Sequence, residues 1–197
     1  MRLIRDLGGR YNPCVYSLSA IGEAQVMSGG AMRDEPRFLA DDMVGKLMRW
    51  LRIIGLDVAS AGRVDDNDLV RRALAEDRVL LTRHARLLDV ITDKALKPRR
   101  GELRWIVLKS PNYLEQIEQV LGESGLGIDE GRLFTRCLVC NSLLEPAAKE
   151  DVAGEVPEFT YSVQDEYARC RTCNKVFWKG THTDRVLAKL RQLRQWP

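Results

Sequence analysis

Phe38-Leu-Ala-Asp-Asp-Met-Val-Gly-Lys-Leu-Met-Arg-Trp-Leu-Arg-Ile-Ile-Gly-Leu-Asp57 is the stretch that decides the fold. It opens on three apolar residues stopped at once by Asp41-Asp42, the pattern of a short buried strand. Val44, Leu47, Met48, Leu51 and Ile54 then recur at helical spacing, and Gly55 supplies the stop. Asp42 is placed to cap this helix. Leu56 to Ala59 reads as a second strand, so the chain passes from strand to helix to strand within some twenty residues.

Outward from this stretch the alternation continues. Asp65 to Asp68 start a helix whose apolar positions include Leu69, Val70, Ala73 and Leu74. Arg78-Val-Leu-Leu-Thr82 is the plainest strand, followed by a short helical stretch through Leu87, Leu88 and Ile91. Beyond a basic loop from Pro98 to Gly101, Trp105-Ile-Val-Leu108 forms a fourth strand and Tyr113 to Leu121 a further helix. Short buried strands alternating with helices build an α/β fold with a parallel sheet flanked by helices. Ligands of such sheets sit outside the carboxyl ends of the strands, and Asp41 and His84 each stand just past one. The expected domain covers residues 36–125. Residues 1–35 sustain no period and carry two glycine pairs, so they read as a leader, with Met27 and Met32 as alternative starts.

Hydrophobic residues make up 45% and charged residues 30% of the chain, the balance of a soluble globular protein. No apolar run approaches the ~20 residues of a membrane span. Tyr11 to Met27 is broken by Asn12, Pro13, Glu23 and Gln25, leaving no signal-peptide core. The expectation is a cytoplasmic protein without membrane attachment. The net charge of +3 decides little. Its distribution says more: arginines gather at Arg49 and Arg52, at Arg71, Arg72 and Arg78, at Arg83 and Arg86, and at Arg99, Arg100 and Arg104. Each cluster alone is a solvated helix face. Together, beside candidate metal sites, they point to a polyanion partner, since phosphates supply most nucleic-acid affinity.

From about Arg132 the character changes. Cys137-x-x-Cys140 and Cys170-x-x-Cys173 use four of the five cysteines, leaving Cys14 over. In a reducing compartment such pairs are metal ligands rather than disulfides. Two thiolates of one turn reach a single ion, and two turns on facing hairpins close a tetrahedron. Their separation of about thirty residues exceeds the commonest spacing and implies an elongated loop. Four thiolates leave no open position, so the Zn²⁺ is structural rather than catalytic. Redox pairs would open a helix after a strand, which neither does. His182 is a secondary candidate ligand. Tyr161, Val163, Val176, Phe177 and Trp178 predict short strands, giving a small β zinc ribbon over residues 132–197. A basic amphipathic helix from Asp184 to Gln195, with Val186, Leu187, Leu190 and Leu193 inward, closes it and offers a surface to a ribosome or protein partner.

Carboxylates hold Mg²⁺ or Mn²⁺ in phosphoryl-transfer sites. Asp41, Asp66 and Asp68 are the candidates here, with Asp42 and Asp65 as neighbours. Helix capping explains Asp42 and Asp65 equally well, and Asp41 reads as ligand or cap. On these residues alone the choice between a metal site and a set of caps stays open.

The stretch from Phe38 to Asp57 resembles the opening of the Mut7-C RNase family. So do Asp65-Asp-Asn-Asp-Leu69 and Arg78-Val-Leu-Leu-Thr-Arg83. Arg136-Cys-Leu-Val-Cys-Asn141 and Cys170-Arg-Thr-Cys-Asn-Lys-Val-Phe-Trp-Lys-Gly-Thr-His182 continue the match, which spans about residues 37–185. The order of these segments, with both cysteine pairs, makes the resemblance specific. It implies a PIN-like nuclease domain followed by a zinc ribbon, and metal-dependent cleavage of RNA. Under it, Asp41 is the acid at the first strand end, Asp66 the aspartate of the acidic helix start, and Asp68 a nearby second acid. Where the family carries an aspartate after Thr-Arg, this chain has His84. Imidazole suits Mn²⁺ better than Mg²⁺ and brings no negative charge, so of the two catalytic ions Mn²⁺ is favoured. The alternative is a decayed site in a non-catalytic RNA-binding or ribosome-associated protein. Arg83 of the same motif is an expected phosphate contact. Lys46 and Arg49, one helical turn apart, form a phosphate-binding rim. Trp50 reads as a core residue.

Overall fold

The computed structural model describes residues 35–90, 103–180 and 182–197. The leader with Cys14, Met27 and Met32, the residue Ile91, and the basic loop from Pro98 to Gly101 lie outside the described residues. Two compact units emerge: Leu56–Ile128 with the residues up to Arg52, and Asp129–Trp196 with the turn Ile53–Gly55.

In the first unit the strands are β1 (Phe38–Ala40), β2 (Val58–Ser60), β3 (Val79–Thr82) and β4 (Trp105–Val107). All pair in parallel in the order β2-β1-β3-β4, with Leu39 opposite both Ala59 and Leu80. β1 and β3 are buried at every residue, as central strands covered on both faces must be. β2 begins two residues later than its sequence reads, because the Leu56 amide still donates to the Leu51 carbonyl and closes the preceding helix. Gly55, at φ +94°, makes that turn in a conformation that a Cβ would oppose.

A 3-10 turn, Asp42–Val44, leads into α1 (Gly45–Ile53); α2 (Asp66–Ala75), α3 (Leu87–Val90) and α4 (Tyr113–Ser124) follow. Asp42 does not cap α1. It is the first residue of the 3-10 turn, whose cap position belongs to Asp41, and the Asp41 side chain makes no capping bond. Asp65 does cap α2, accepting from the Asp68 amide at 2.9 Å. On one face of the sheet, Leu39 and Leu80 pack against Leu69, Val70 and Ala73 of α2. Leu47 and Leu51 of α1, and Ile117, Val120 and Leu121 of α4, are fully buried.

Two arginines depart from the solvated reading. Arg52 is 1% exposed and donates from Nε to the Val58 carbonyl at 2.8 Å. Arg78 bonds Asp57 at 2.6 Å, Glu76 at 2.7 Å and the Phe38 carbonyl at 3.0 Å. Both brace strand ends, so neither is available to a polyanion.

The second unit carries β5 (Glu145–Ala147), β6 (Tyr167–Arg169) and β7 (Val176–Trp178), antiparallel in that order. Tyr161 and Val163, expected on a strand, lie instead on a six-residue helix, α5 (Glu158–Val163). Pro157 fixes the entry φ at −56°, and the Tyr161 amide closes a helical turn onto its carbonyl at 2.9 Å. The last helix, α6 (His182–Leu190), is shorter than the sequence predicts. Past Leu190, hydrogen bonds from Gln192 to Lys189 and from Leu193 to Leu190 make separate tight turns. Leu187, Leu190 and Leu193 are nonetheless buried, as expected, and Val186 is partly so. Among the described residues no helix is long and apolar enough to cross a membrane.

Candidate functional site

The chain leaves β1 toward β2 and leaves β3 toward β4, so the loops after β1 and β3 diverge at the carboxyl end of the sheet. Such a switch point leaves a crevice. Asp41 heads the first loop, its amide donating to the Leu81 carbonyl at 3.0 Å. The Asp41 Oδ2 accepts from Thr82 Oγ1 at 2.7 Å, and that oxygen accepts from the His84 amide at 3.0 Å. Thr82 is fully buried. A hydroxyl has one proton to give, and here it goes to Asp41. One threonine thereby fixes both the first acid and the loop that carries His84.

Asp66 is the first residue of α2, where the helix dipole favours an acid. Its Oδ2 lies 3.6 Å from His84 Nδ1, long for a hydrogen bond but within ion-pair reach, and both side chains are about two-fifths exposed (40% and 38%). Asp68 turns instead to Arg71 at 2.9 Å, and Asp42 stands 3.6 Å from Arg63 on the surface. The structure thus brings Asp41 to Thr82 and Asp66 to His84. Lys46, Arg49 and Arg83 are exposed. Trp50 is half-buried rather than enclosed, its ring centroid 5.1 Å from that of Tyr113.

The four sulfurs of Cys137, Cys140, Cys170 and Cys173 all lie within 4.8 Å of one another. Cys137 and Cys173 are 3.6 Å apart, Cys140 and Cys170 3.2 Å. Thiolates at ~2.3 Å around a tetrahedral zinc sit about 3.8 Å apart, so this donor set fits a closed zinc site. Among the described residues no other group of three or more His, Cys, Asp or Glu reaches that spacing. His182 stands outside it at the start of α6, its Nε2 buried without a hydrogen-bond partner.

Each cysteine turn is built the same way. Asn141 and Asn174 follow the second cysteines at φ +74° and +53°, left-handed values that asparagine accepts better than most residues. The Cys137 amide donates to the Ser142 carbonyl at 2.8 Å, and the Cys170 amide to the Lys175 carbonyl at 2.9 Å. The signal for this role was the repeated Cys-x-x-Cys-Asn. Burial pushes the Cys137 thiol up to about 12 and raises that of Cys170. At Cys140 burial opposes ionisation too, but the side chain and backbone of Ser142 outweigh it and bring the thiol down to about 6. Zinc must displace the protons held on the buried pair. Cys137 and Cys170 also share one apolar cluster with Leu144, Ala168 and Phe177, so the thiolate centre and the core of this small sheet coincide.

Fold and site define the class: an α/β protein whose second unit carries a four-cysteine centre able to hold zinc. The chain belongs to the Mut7-C RNAse domain family, whose model matches residues 36–190. No curated protein and no solved structure matches the chain.

Proposed function

We propose that the protein is a metal-dependent ribonuclease whose ribbon is folded around a structural zinc ion. The observation that carries this reading is the bond from Thr82 to Asp41. Asp41 occupies a cap position yet does not cap; its carboxylate is held through one oxygen by Thr82, just past the end of the strand. On this reading an ion draws the Asp66–His84 pair and Asp41 into one donor set of two carboxylate groups and an imidazole, suited to Mn²⁺ and less so to Mg²⁺. An ion held there supplies Lewis acidity and an activated water for phosphodiester hydrolysis. Asp68 adds negative charge to the approach. Lys46, Arg49 and Arg83 hold the phosphates of the RNA, which is the substrate class that the family match favours. Residues 36–125 form the nuclease domain and 132–197 the zinc ribbon of a cytoplasmic protein, where the thiols stay reduced.

The test is Mn²⁺ binding to the zinc-loaded protein, followed by electron paramagnetic resonance. Wild type binds Mn²⁺ outside the ribbon, and Asp41→Asn weakens that binding by about tenfold or more. Equal binding by both would remove Asp41 from the metal site. The histidine at position 84 favours one second reading, a non-catalytic RNA-binding or ribosome-associated protein, in which RNA binds but neither ion promotes cleavage.

A further inference from the structure

Tyr113 opens α4 just beyond the carboxyl end of β4. Asn112 caps that helix, accepting from the Leu114 amide at 3.0 Å, so Tyr113 starts from a formed helical turn. Its ring lies against Trp50 of α1 at 5.1 Å between centroids and a 34° tilt. The Lys46 ammonium sits over the same ring, 3.7 Å from its centroid. β4 neighbours β3 and β3 neighbours β1, all parallel, so this aromatic pair and Asp41 stand at the same end of one sheet. Both rings are half-buried, and the Lys46 side chain over the Tyr113 ring is itself exposed.

On the ribonuclease reading, we infer that Tyr113, backed by Trp50, is a nucleobase subsite and that Lys46 is its exchangeable cover. An ammonium that stays exposed to water is held on a ring more weakly than a desolvated one. A phosphate offers that ammonium a full opposite charge, and any base offers the ring a flat π-face. Binding of a strand therefore moves Lys46 from the ring to the backbone phosphate and places a base where the ammonium had been. No bond is made or broken in this exchange. Bases inside a duplex are already stacked on each other and present no free face, so the subsite selects single-stranded RNA.

The experiment uses the full zinc-loaded chain carrying Asp41→Asn to suppress turnover. It measures binding to a labelled single-stranded oligoadenylate, to the same length with abasic riboses, and to a blunt duplex. Adding Tyr113→Leu should weaken the oligoadenylate about tenfold while leaving the abasic strand and the duplex within twofold. Adding Tyr113→Phe, which keeps the ring, should leave all three within twofold. An equal loss on the abasic strand would mean that Tyr113 acts only through the fold or through charge, and would overturn the subsite. So would an unchanged affinity for oligoadenylate while RNA still binds. Absence of binding to every RNA form by the Asp41→Asn parent would instead bring down the ribonuclease reading together with the subsite.

Discussion

Thr82 has one proton and gives it to Asp41. Replacing it with valine keeps the shape, removes that donor, and leaves the His84 amide without its acceptor in a partly buried place. We expect Thr82→Val to cost about 1–3 kcal/mol of stability, read by chemical denaturation. Cleavage should fall by more than that loss of folded protein accounts for, because Asp41 is then free to rotate. His84 carries a second prediction. Restoring a carboxylate with His84→Asp returns one negative charge to the donor set, and hard Mg²⁺ gains most from it. The ratio of initial cleavage rates, Mg²⁺ over Mn²⁺, should rise in the variant. An unchanged ratio would place His84 outside the ion's shell. Asp41 drew attention by its place after a strand and Asp66 by its place at an acidic helix start, whereas their contacts with Thr82 and His84 had no signal. Capping and ligation use the same residue types, so the sequence alone leaves both roles open at Asp41.

Among the elements, the end of α2 shows a stabilising carboxylate plainly. The Arg72 side chain, and with it Arg78, holds the Glu76 carboxyl below the usual glutamate range. A lowered value means that the stabilisation is present above the unfolded pKa and is lost as pH falls through the folded one. Glu76 is 35% exposed, so the contribution is set at about 1 kcal/mol or less. The stability difference between wild type and Glu76→Gln should be full at pH 6 and shrink toward zero below the usual glutamate range. A difference that persists into acid would mean that packing, not charge, is at stake. In the cysteine turns, Asn141→Gly should keep the structure while Asn141→Val costs about 1–2 kcal/mol for its left-handed backbone, read as weakened zinc retention against a chelator. The first helix was legible because its apolar period is clean. The burial of Arg52 had a signal as well: it follows Leu51 and lies four residues after Met48, on the rim of the apolar stripe. α5 had none, since Tyr161 and Val163 alternate as a strand would, and only Pro157 and its local turn decide otherwise.

For the whole molecule, the two units draw on different sources of stability. The parallel sheet packs its aliphatic side chains against a helix, whereas one of the second unit's two apolar clusters is largely its own cysteines, the other being built on Val152, Val156, Tyr167 and Val176. Stripping zinc with a strong chelator should therefore lower hydrogen-exchange protection in β5, β6 and β7, most at the strand ends beside the cysteines, while β1 and β3 keep theirs. The alternation of strands and helices and the paired cysteines were readable in advance because each is a local, repeating pattern. The pairings of Asp41 with Thr82 and of Asp66 with His84 join residues far apart in sequence, so no local pattern announces them. The most direct measurement of the central claim is the initial rate of cleavage of single-stranded RNA by the zinc-loaded protein with Mn²⁺, with Mg²⁺ and with neither, for wild type and Asp41→Asn. Cleavage by wild type that is faster with Mn²⁺ than with Mg²⁺, absent without either, and at least about a hundredfold slower in Asp41→Asn is the result this account predicts. Cleavage that survives without added ion, or that Asp41→Asn leaves untouched, would contradict it.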